Sequence, residues 1–338
     1  MPKVAVVILN WNGVDFLKSF LPNVIKYTNS NDNKVYVADN GSDDNSLFYL
    51  NSVLEEEYII KLDKNYGFAL GYDIALKQIG AKYFVLLNSD VEVSENWVDP
   101  IIEYLDCNHD IAAAMPKIKS YNQRNYFEYA GAAGGYIDKY GYPYCRGRIL
   151  NVTEIDKGQY NDIRQIFWAT GACLFVKSEL YFKCGGLDGD FFAHMEEIDL
   201  CWRLNNMGYK IIVFPKIQVF HVGGGTLASD NPRKVYYNFR NSLYLLYKNL
   251  PKKGFKRRFL FRLVLDGIAA MKFFAGFKIT FFIAILKAHL HFWKNLSTIK
   301  EKRQNSLKLQ ISIPSISPSN TSVIINFFIK GKKFFSQF

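Results

Sequence analysis

The chain has 338 residues, of which 49% are hydrophobic and 16% are aromatic, with 10 Pro and 5 Cys. This composition excludes an intrinsically disordered chain, a collagen-like repeat and a small domain held together by disulfides. A chain of this length can bury the core of one large domain or of two ordinary ones.

The charge is distributed unevenly along the chain. Residues 1–247 hold 24 basic and 29 acidic side chains, whereas residues 248–338 hold 18 and 2. Such a basic tail favours an anionic partner, either a membrane surface or a nucleic acid. The cysteines form no CxxC pair, and the first apolar run, residues 4–9, is too short for a signal peptide. We therefore expect a cytoplasmic protein without structural disulfides or a zinc site.

The first 110 residues alternate short apolar runs with segments of helical pattern. Strands that are buried on both faces are predicted at 4–9, 34–38, 58–62 and 83–87. Helices are predicted at 14–27, 42–57 and 69–79. Repeated strand, helix, strand units predict the α/β class, with a Rossmann-like, mostly parallel central sheet and flanking helices.

The rest of the chain is less regular. Residues 111–165 have no clear period, and we predict the later elements as strands at 166–177 and 211–214, helices at 196–207 and 235–249, and a glycine-rich loop at 221–226. No internal repeat is present. The order of the chain after residue 304 is left open.

The basic tail has a distinct pattern. Residues 255–296 combine ten aromatic residues with Lys and Arg, and the longest uncharged stretch, 279–286, is too short to span a bilayer. A solvated basic surface would leave too many aromatic rings exposed. Nucleic-acid binding also uses basic and aromatic residues. Because Leu, Ile and Phe recur at helical spacing, we predict amphipathic helices that lie on an anionic membrane, and no nucleic-acid partner.

Polar clusters follow three of the four predicted strands. They are residues 10–13, 39–42 and 88–90. Each one alone is typical of a turn or a helix N-cap. Ligands of open α/β sheets bind at the carboxyl ends of the strands, so three clusters on one edge favour a binding site.

Seven motifs follow one another along the chain. They are residues 4–13 (VAVVILNWNG), 37–42 (VADNGS), 65–71 (NYGFALG), 86–90 (LLNSD), 169–173 (ATGAC), 195–203 (MEEIDLCWR) and 221–225 (HVGGG). In this order they resemble the motifs of bacterial family 2 glycosyltransferases, and the resemblance covers residues 3–250. Within the family, the chain looks most like the rhamnosyltransferase branch, which builds surface polysaccharides.

The resemblance implies a GT-A fold at 1–250, with a nucleotide-binding half at 1–110 and an acceptor-binding half at 111–250. A basic amphipathic helical region at 251–303 and a tail at 304–338 would follow. It also implies transfer, with inversion, of a sugar from a nucleoside diphosphate donor, such as dTDP-rhamnose or a UDP-sugar, to a glycan or lipid-linked acceptor. Such a protein would lie on the inner face of the plasma membrane.

The predicted metal site has two ligands. A divalent cation, Mg²⁺ or Mn²⁺, neutralises the leaving diphosphate well. The resemblance places Asp90 at the last position of the family's metal-binding motif, whose first position is here Asn88, and it makes His221 a second ligand. The alternatives are a helix N-cap for Asp90 and a structural role for His221.

The predicted donor site surrounds the second strand. Asp39 follows that strand, where a carboxylate accepts hydrogen bonds from a base or ribose. By resemblance, the donor-binding residues are Asn10, Asn12, Asp39, Asn65, Gly67, Ser89 and Asp90.

The attack of a hydroxyl group requires a general base. Glu197 matches the base position of the family, where aspartate is usual, and Glu196 is the second candidate. Carboxylates at a helix start also stabilise the helix dipole. Asp199 and Arg203, spaced i to i+4, suit an ion pair, and the alternative is that Arg203 faces the substrates.

The predicted acceptor wall is formed by an aromatic residue and the stretch that follows it. Aromatic faces suit sugars, although core packing is an alternative for Trp168. The acceptor-binding candidates are Trp168, Thr170, Gly171 and Arg203.

Two rival interpretations remain. The departures at Asn88 and Glu197 would also suit an inactive paralogue that binds glycans or nucleotides in an assembly. A nucleotide-binding oxidoreductase is disfavoured, because no GxGxxG follows the first strand.

Overall fold

A computed structural model describes residues 1–223, 231–311 and 314–338 of the chain. Residues 224–226 of the predicted glycine-rich loop lie outside this range. The described helices are α1 Val14–Thr28, α2 Ser46–Val53, α3 Gly67–Leu76, α4 Asp99–Cys107, α5 Ser178–Lys183, α6 Glu196–Asn206, α7 Pro232–Asn249, α8 Phe255–Ala275, α9 Ile279–Lys294 and α10 Leu296–Lys308.

The described strands form two sheets. The strands are β1 Val4–Asn10, β2 Asn33–Asn40, β3 Ile59–Leu62, β4 Tyr83–Asn88, β5 Val91–Val93, β6 Ile111–Ser120, β7 Gly135–Ile137, β8 Pro143–Cys145, β9 Arg148–Ile149, β10 Val152–Thr153, β11 Arg164–Ile166, β12 Cys173–Lys177 and β13 Lys210–His221.

The larger sheet holds the core. Among the described residues it has nine strands, in the order β11-β13-β6-β12-β4-β1-β2-β3, with β5 paired to β13. The strands β4, β1, β2 and β3 are parallel, as predicted, while β12 runs antiparallel to both neighbours. Because the parallel register aligns Asn10 with Asp39 and Leu9 with Asn88, three strands end at one edge.

The middle of the chain is more regular than the sequence predicted. Residues 111–165, predicted as irregular, contain β6, which lies between β13 and β12 in the large sheet, and the small sheet β10-β9-β8-β7. All four strands of the small sheet have only two or three residues, too few to show a period.

Three predicted boundaries were wrong. The strand predicted at 166–177 is two strands, β11 and β12, separated by a turn that contains Gly171. The strand predicted at 211–214 continues to His221 across an irregularity after Phe214. The helix predicted at 42–57 begins only at Ser46, because the backbone N–H and hydroxyl of Ser42 bind Asp39.

The C-terminal region is helical, as expected. The helices α9 and α10 pack on α7, and Phe292 and Ile299 join the main core. None of the helices in the described part of the chain is long and apolar enough to cross a bilayer. Residues 314–338 pack on the small sheet, where the backbone N–H of Val323 donates to Asp138 Oδ2 at 2.8 Å.

Candidate active site

The first corner of the site joins the ends of β1 and β2. Asn10 Nδ2 donates to Asp39 Oδ1 at 3.0 Å, and the Ser42 hydroxyl donates to the same oxygen at 2.6 Å. The backbone N–H of Ser42 donates to Asp39 Oδ2 at 3.0 Å. Asp39 is buried and its carboxylate accepts these three bonds, so its position is fixed before any ligand binds.

The loop after β1 is held by side chains of the next loop. Asn12 has a left-handed backbone, with φ of 49°. Its side-chain Nδ2 donates to Asp43 Oδ1, and its Oδ1 accepts from the backbone N–H of Asp43. Its own backbone N–H donates to the Ser42 hydroxyl at 3.0 Å. The structure therefore brings Asn10, Asn12 and Asp39 together.

The second corner lies at the start of α3. Asn65 Oδ1 accepts from the backbone N–H of Gly67 at 2.8 Å and from Asn40 Nδ2 at 3.2 Å. Gly67 has φ of +76°, and a Cβ there would lie 2.6 Å from the Phe192 ring. Only glycine fits this position, so the backbone of residues 65–67 is fixed beside the end of β2.

The predicted metal ligands lie side by side. Asp90 Oδ1 and His221 Nε2 are 3.1 Å apart, and both side chains are buried. The backbone of Val222 donates to Asp90 O, which joins the end of β13 to the loop after β4. Two atoms bound to one divalent cation are separated by about this distance, so the pair fits a shared metal ion.

Glu128 was missed by the sequence analysis. Its Oε2 lies 3.2 Å from His221 Nδ1, on the side of the ring away from Asp90. A carboxylate there orients the ring and makes it a better ligand. The two residues are 93 positions apart, and Glu128 lies in a region without a clear period, so the sequence left no signal for this pairing.

The pKa values of Asp90 and His221 depend on the contact between them, and that of His221 depends also on Glu128. Burial alone would raise the pKa of Asp90, but the hydrogen bond and charge of His221 lower it. Burial likewise lowers the pKa of His221, but Asp90 and Glu128 outweigh it and raise the value to about 10. A cation bound through Nε2 would therefore have to displace the proton on that nitrogen. No group of three or more side chains in the described residues suits a metal ion, so a cation here would also need ligands from the substrate.

The candidate base lies at the start of α6. Burial raises the pKa of Glu197 to about 7, and burial together with the charge of Glu197 raises the pKa of Glu196 well above its usual range. The Oε2 atoms of both residues are buried without a hydrogen-bond partner. A buried polar atom without a partner points to a missing ligand or water.

The predicted acceptor stretch lies beside Glu197. A Cβ at Gly171 would lie 3.9 Å from the Cβ of Glu197 and 3.1 Å from the Phe68 ring. Thr170 is buried, and its hydroxyl accepts from the backbone of Ala172. The turn at 170–172 therefore lies between the candidate base and the start of α3.

The structure places two of the predicted acceptor residues in structural contacts. Trp168 is buried, and its indole Nε1 donates to the carbonyl of Tyr136 at 2.9 Å. Arg203 is also buried, and it binds Asp199 and the carbonyls of Cys184 and Gly186. These contacts favour core packing for Trp168 and the ion pair for Arg203.

The remaining predicted residues lie at the same edge. Ser89 follows β4 directly, and its hydroxyl lies 3.8 Å from where a Cβ of Gly13 would be. The backbone of Asn88 donates to Ala172 O at 3.0 Å. The donor corner, the Asp90–His221 pair and Glu197 are thus linked through neighbouring backbone at the ends of β1, β2, β4 and β13.

The fold and this edge define a class of protein. A mixed sheet, in which a parallel block of four strands is extended by antiparallel pairings and acidic residues follow the parallel strands, is the GT-A glycosyltransferase arrangement predicted from the motifs. The sequence predicted a mostly parallel sheet, whereas the sheet is mixed because β12 and β5 pair antiparallel with their neighbours. The crystal structure titled GalNAc-T7 with UDP, GalNAc and Mn²⁺ superposes on 73% of this chain and 48% of its own, with a TM-score of 0.57 and 16% identity.

The sequence comparisons give the family. Residues 5–162 match the model of glycosyl transferase family 2, so this segment belongs to that family, and the prediction is confirmed. An O-antigen biosynthesis protein, RfbC, of Myxococcus xanthus is 22% identical over 240 residues, which are 68% of this chain and 18% of that protein. The dTDP-rhamnosyl transferase RfbF of Shigella flexneri is 21% identical over 210 residues, 58% of this chain and 65% of that protein. The chain thus spans less than two thirds of the length of either relative.

Proposed function

We propose that this protein is a glycosyltransferase that moves a sugar, with inversion, from a nucleoside diphosphate to a hydroxyl group. The observation that carries the proposal concerns Glu197, whose Cβ lies 3.9 Å from where a Cβ of Gly171 would be and whose Oε2 is buried without a hydrogen-bond partner. A carboxylate with a pKa of about 7 is suited to accept a proton near neutral pH.

The other residues at this edge of the sheet would bind the nucleotide of the donor or the metal ion. Asp39, fixed by Asn10 and Ser42, would hold the base or ribose of the nucleotide. Asp90 and His221 would hold a divalent cation, Mg²⁺ or Mn²⁺, which when bound neutralises the charge of the leaving diphosphate. Glu197 would then take the proton of the acceptor hydroxyl as the hydroxyl attacks the anomeric carbon.

The names of similar proteins support a proposal for the donor and the acceptor. One relative is named a dTDP-rhamnosyl transferase and another an O-antigen biosynthesis protein, and the structural neighbour was solved with UDP and Mn²⁺. We therefore propose dTDP-rhamnose or a UDP-sugar as the donor and a glycan or lipid-linked sugar as the acceptor. The product would enter a cell-surface polysaccharide.

The experiment is a transfer assay with UDP-, GDP- and dTDP-sugars in the presence of Mn²⁺ or Mg²⁺. Glu197→Gln should abolish transfer and leave binding of the nucleotide intact. Glu179→Gln is the matched control, because Glu179 is also in the first turn of a helix but is exposed. Nucleotide binding without transfer in the unmodified protein would favour the inactive paralogue instead.

A second proposal concerns the helices α8 and α9, which would dock on a membrane. The helix α9 exposes apolar side chains three and four residues apart, which form one stripe along the helix. The members of this stripe are Ile279, Ile283, Leu286, Leu290 and Trp293. The helix α8 exposes a similar set, Leu260, Val264, Ile268 and Met271.

The charges around these stripes select the partner. Asp266 is the only acidic residue of 255–296, and it is buried against Arg262 and His289. The exposed charges beside the stripes, such as Lys272, Lys287 and Lys294, are therefore all positive. A second copy of the same surface would repel this one, whereas an anionic bilayer attracts the lysines and covers the apolar stripe.

A flotation assay tests this docking. The protein should bind vesicles of phosphatidylglycerol and phosphatidylcholine, and Ile283→Ser with Leu290→Ser should release it. The control is Phe48→Ser, which removes an exposed aromatic ring from α2. Equal binding by all variants, or binding to duplex DNA that competes with the vesicles, would contradict the proposal. If it holds, the protein works on the inner face of the plasma membrane.

A further inference from the structure

The segment that leads into α6 has an uncommon backbone. Phe192, His194 and Met195 have φ values of 64°, 71° and 75°, although none of them is glycine. Residues other than glycine rarely adopt this left-handed backbone conformation, and they do so only where surrounding contacts impose it. Met195 is directly followed by Glu196 and Glu197, so this segment sets where α6 begins.

One side-chain amide binds most of this segment. Asn241, on α7, is fully buried. Its Nδ2 donates to the carbonyls of Phe191, Ala193 and His194 at 3.0, 2.8 and 2.7 Å. An amide NH₂ group has two hydrogens, so the three carbonyls share them.

The preceding residue holds this amide in place. Arg240 Nε donates to Asn241 Oδ1 at 2.9 Å, which fixes which end of the amide faces the segment. Arg240 Nη2 donates to the carbonyls of Asp190 and Phe191 at 2.8 Å each. The pair therefore binds four carbonyls of residues 190–194.

The other side of the segment contacts the donor corner. The carbonyl of Phe192 accepts from the backbone N–H groups of Phe68 and Ala69, at 2.7 and 3.3 Å. These groups belong to the first turn of α3, whose first residue is Gly67. The segment thus joins the donor side of the site to the helix that carries the candidate base.

We infer that Asn241 is a positioning residue: its amide, oriented by Arg240, holds residues 191–194 in the conformation that places Glu197, at the start of α6, beside Gly171. This inference rests on the proposed function, since it assigns Asn241 to the base of that reaction. Asn241 itself bonds to backbone carbonyls and is not a catalytic residue.

The rate of transfer should depend on the hydrogen bonds from the Asn241 amide to residues 191–194. Without the amide, the carbonyls of Ala193 and His194 lose their donor, whereas that of Phe191 keeps its bonds from Arg240 and from the backbone N–H of Ala193. The two carbonyls must then be satisfied by water or by a change of backbone, and a change of backbone moves the start of α6. A shift of about 1 Å in a reacting group can lower a rate about 100-fold.

The test compares Asn241→Ala with Asn33→Ala. Asn33 is a buried asparagine at the start of β2, at the opposite edge of the sheet, and its amide donates to Asp99. Both variants lose hydrogen bonds of a buried amide. The readouts are kcat, donor KM, the pH profile of kcat/KM and the melting temperature.

The expected result separates positioning from folding. Asn241→Ala should lower kcat about 10- to 100-fold and change donor KM much less. Its pH profile should rise at lower pH than that of the unmodified protein, because water admitted around Glu197 reduces the effect of burial. Asn33→Ala should lower the melting temperature and leave kcat and the pH profile unchanged. An unchanged kcat and pH profile in Asn241→Ala would overturn the inference.

The inference stays testable if Asn241→Ala does not fold or if Glu197 is not the base. If Asn241→Ala does not fold, Arg240→Lys removes the contacts with Asn241 Oδ1 and the carbonyl of Phe191 and keeps the charge, and the same readouts apply. If Glu197→Gln retains transfer, the assignment of the base fails. In that case a loss of kcat in Asn241→Ala without any change in the pH profile would also contradict a positioning role for Asn241.

Discussion

The pH dependence of transfer follows from the burial of Glu197. An ordinary glutamate has a pKa of 4.5, whereas burial raises that of Glu197 to about 7. A general base must be ionised, so kcat/KM should rise with pH as Glu197 loses its proton. With a pKa of about 7, the ionised fraction rises about tenfold from pH 6 to pH 8, whereas at 4.5 it would change by only a few per cent.

The assay is initial-rate transfer at subsaturating donor and acceptor from pH 5 to pH 9, with fixed ionic strength and metal concentration. Glu197→Asp keeps a carboxylate and should keep a rising limb at a reduced rate, whereas Glu197→Gln should lose the limb together with the activity. A flat profile between pH 5.5 and pH 8 in the unmodified protein would refute the reasoning, because it would mean that no group with a raised pKa acts as the base.

A rise in pH should affect the stability of the fold in the opposite direction to its effect on the rate of transfer. The folded pKa of Glu197 is raised, so the folded state binds the proton more tightly than the unfolded state. Between the ordinary value and about 7, a rise in pH therefore lowers the free energy of unfolding, and Glu197→Gln should reduce this loss. Denaturation in urea at pH 5 and pH 8, without ligands, measures the difference.

Two more predictions concern the metal pair and the donor corner. Asp90→Asn should raise the Mn²⁺ concentration that gives half-maximal transfer at least about tenfold, because it removes the carboxylate of the proposed metal pair; an unchanged metal requirement would show that the metal lies elsewhere. Gly67→Ala should lower the free energy of unfolding by about 2 kcal/mol, since the left-handed backbone and the contact with Phe192 both oppose a Cβ. The control Gly267→Ala, in α8 with nothing within 4 Å, should be neutral or stabilising.

The sequence was most informative where local pattern decides structure. The buried runs that became β1, β2 and β4 have no polar alternation, and parallel strands necessarily place their carboxyl ends at one edge. That rule is enough to bring Asn10, Asp39 and Asp90 to one edge from sequence alone. The helices α1, α6 and α7 also began within three residues of their predicted starts.

The sequence was least informative where distant residues decide structure. The contact of Glu128 with His221 and the bonds from Asn241 to residues 191–194 join segments about 50 or more residues apart. Neither pairing has a period or a motif of its own. The turn at Gly171 is another such case, because apolar residues on both sides of it resemble one strand, and packing against Phe68 and Glu197 decides otherwise.

The most direct test of the central claim is the stereochemistry of transfer. Proton NMR of the first product formed from a donor of known anomeric configuration gives the configuration of the new glycosidic bond. Direct displacement by an acceptor hydroxyl deprotonated by Glu197 predicts the configuration opposite to that of the donor, and no product from Glu197→Gln. A product that retains the donor's configuration would contradict the mechanism.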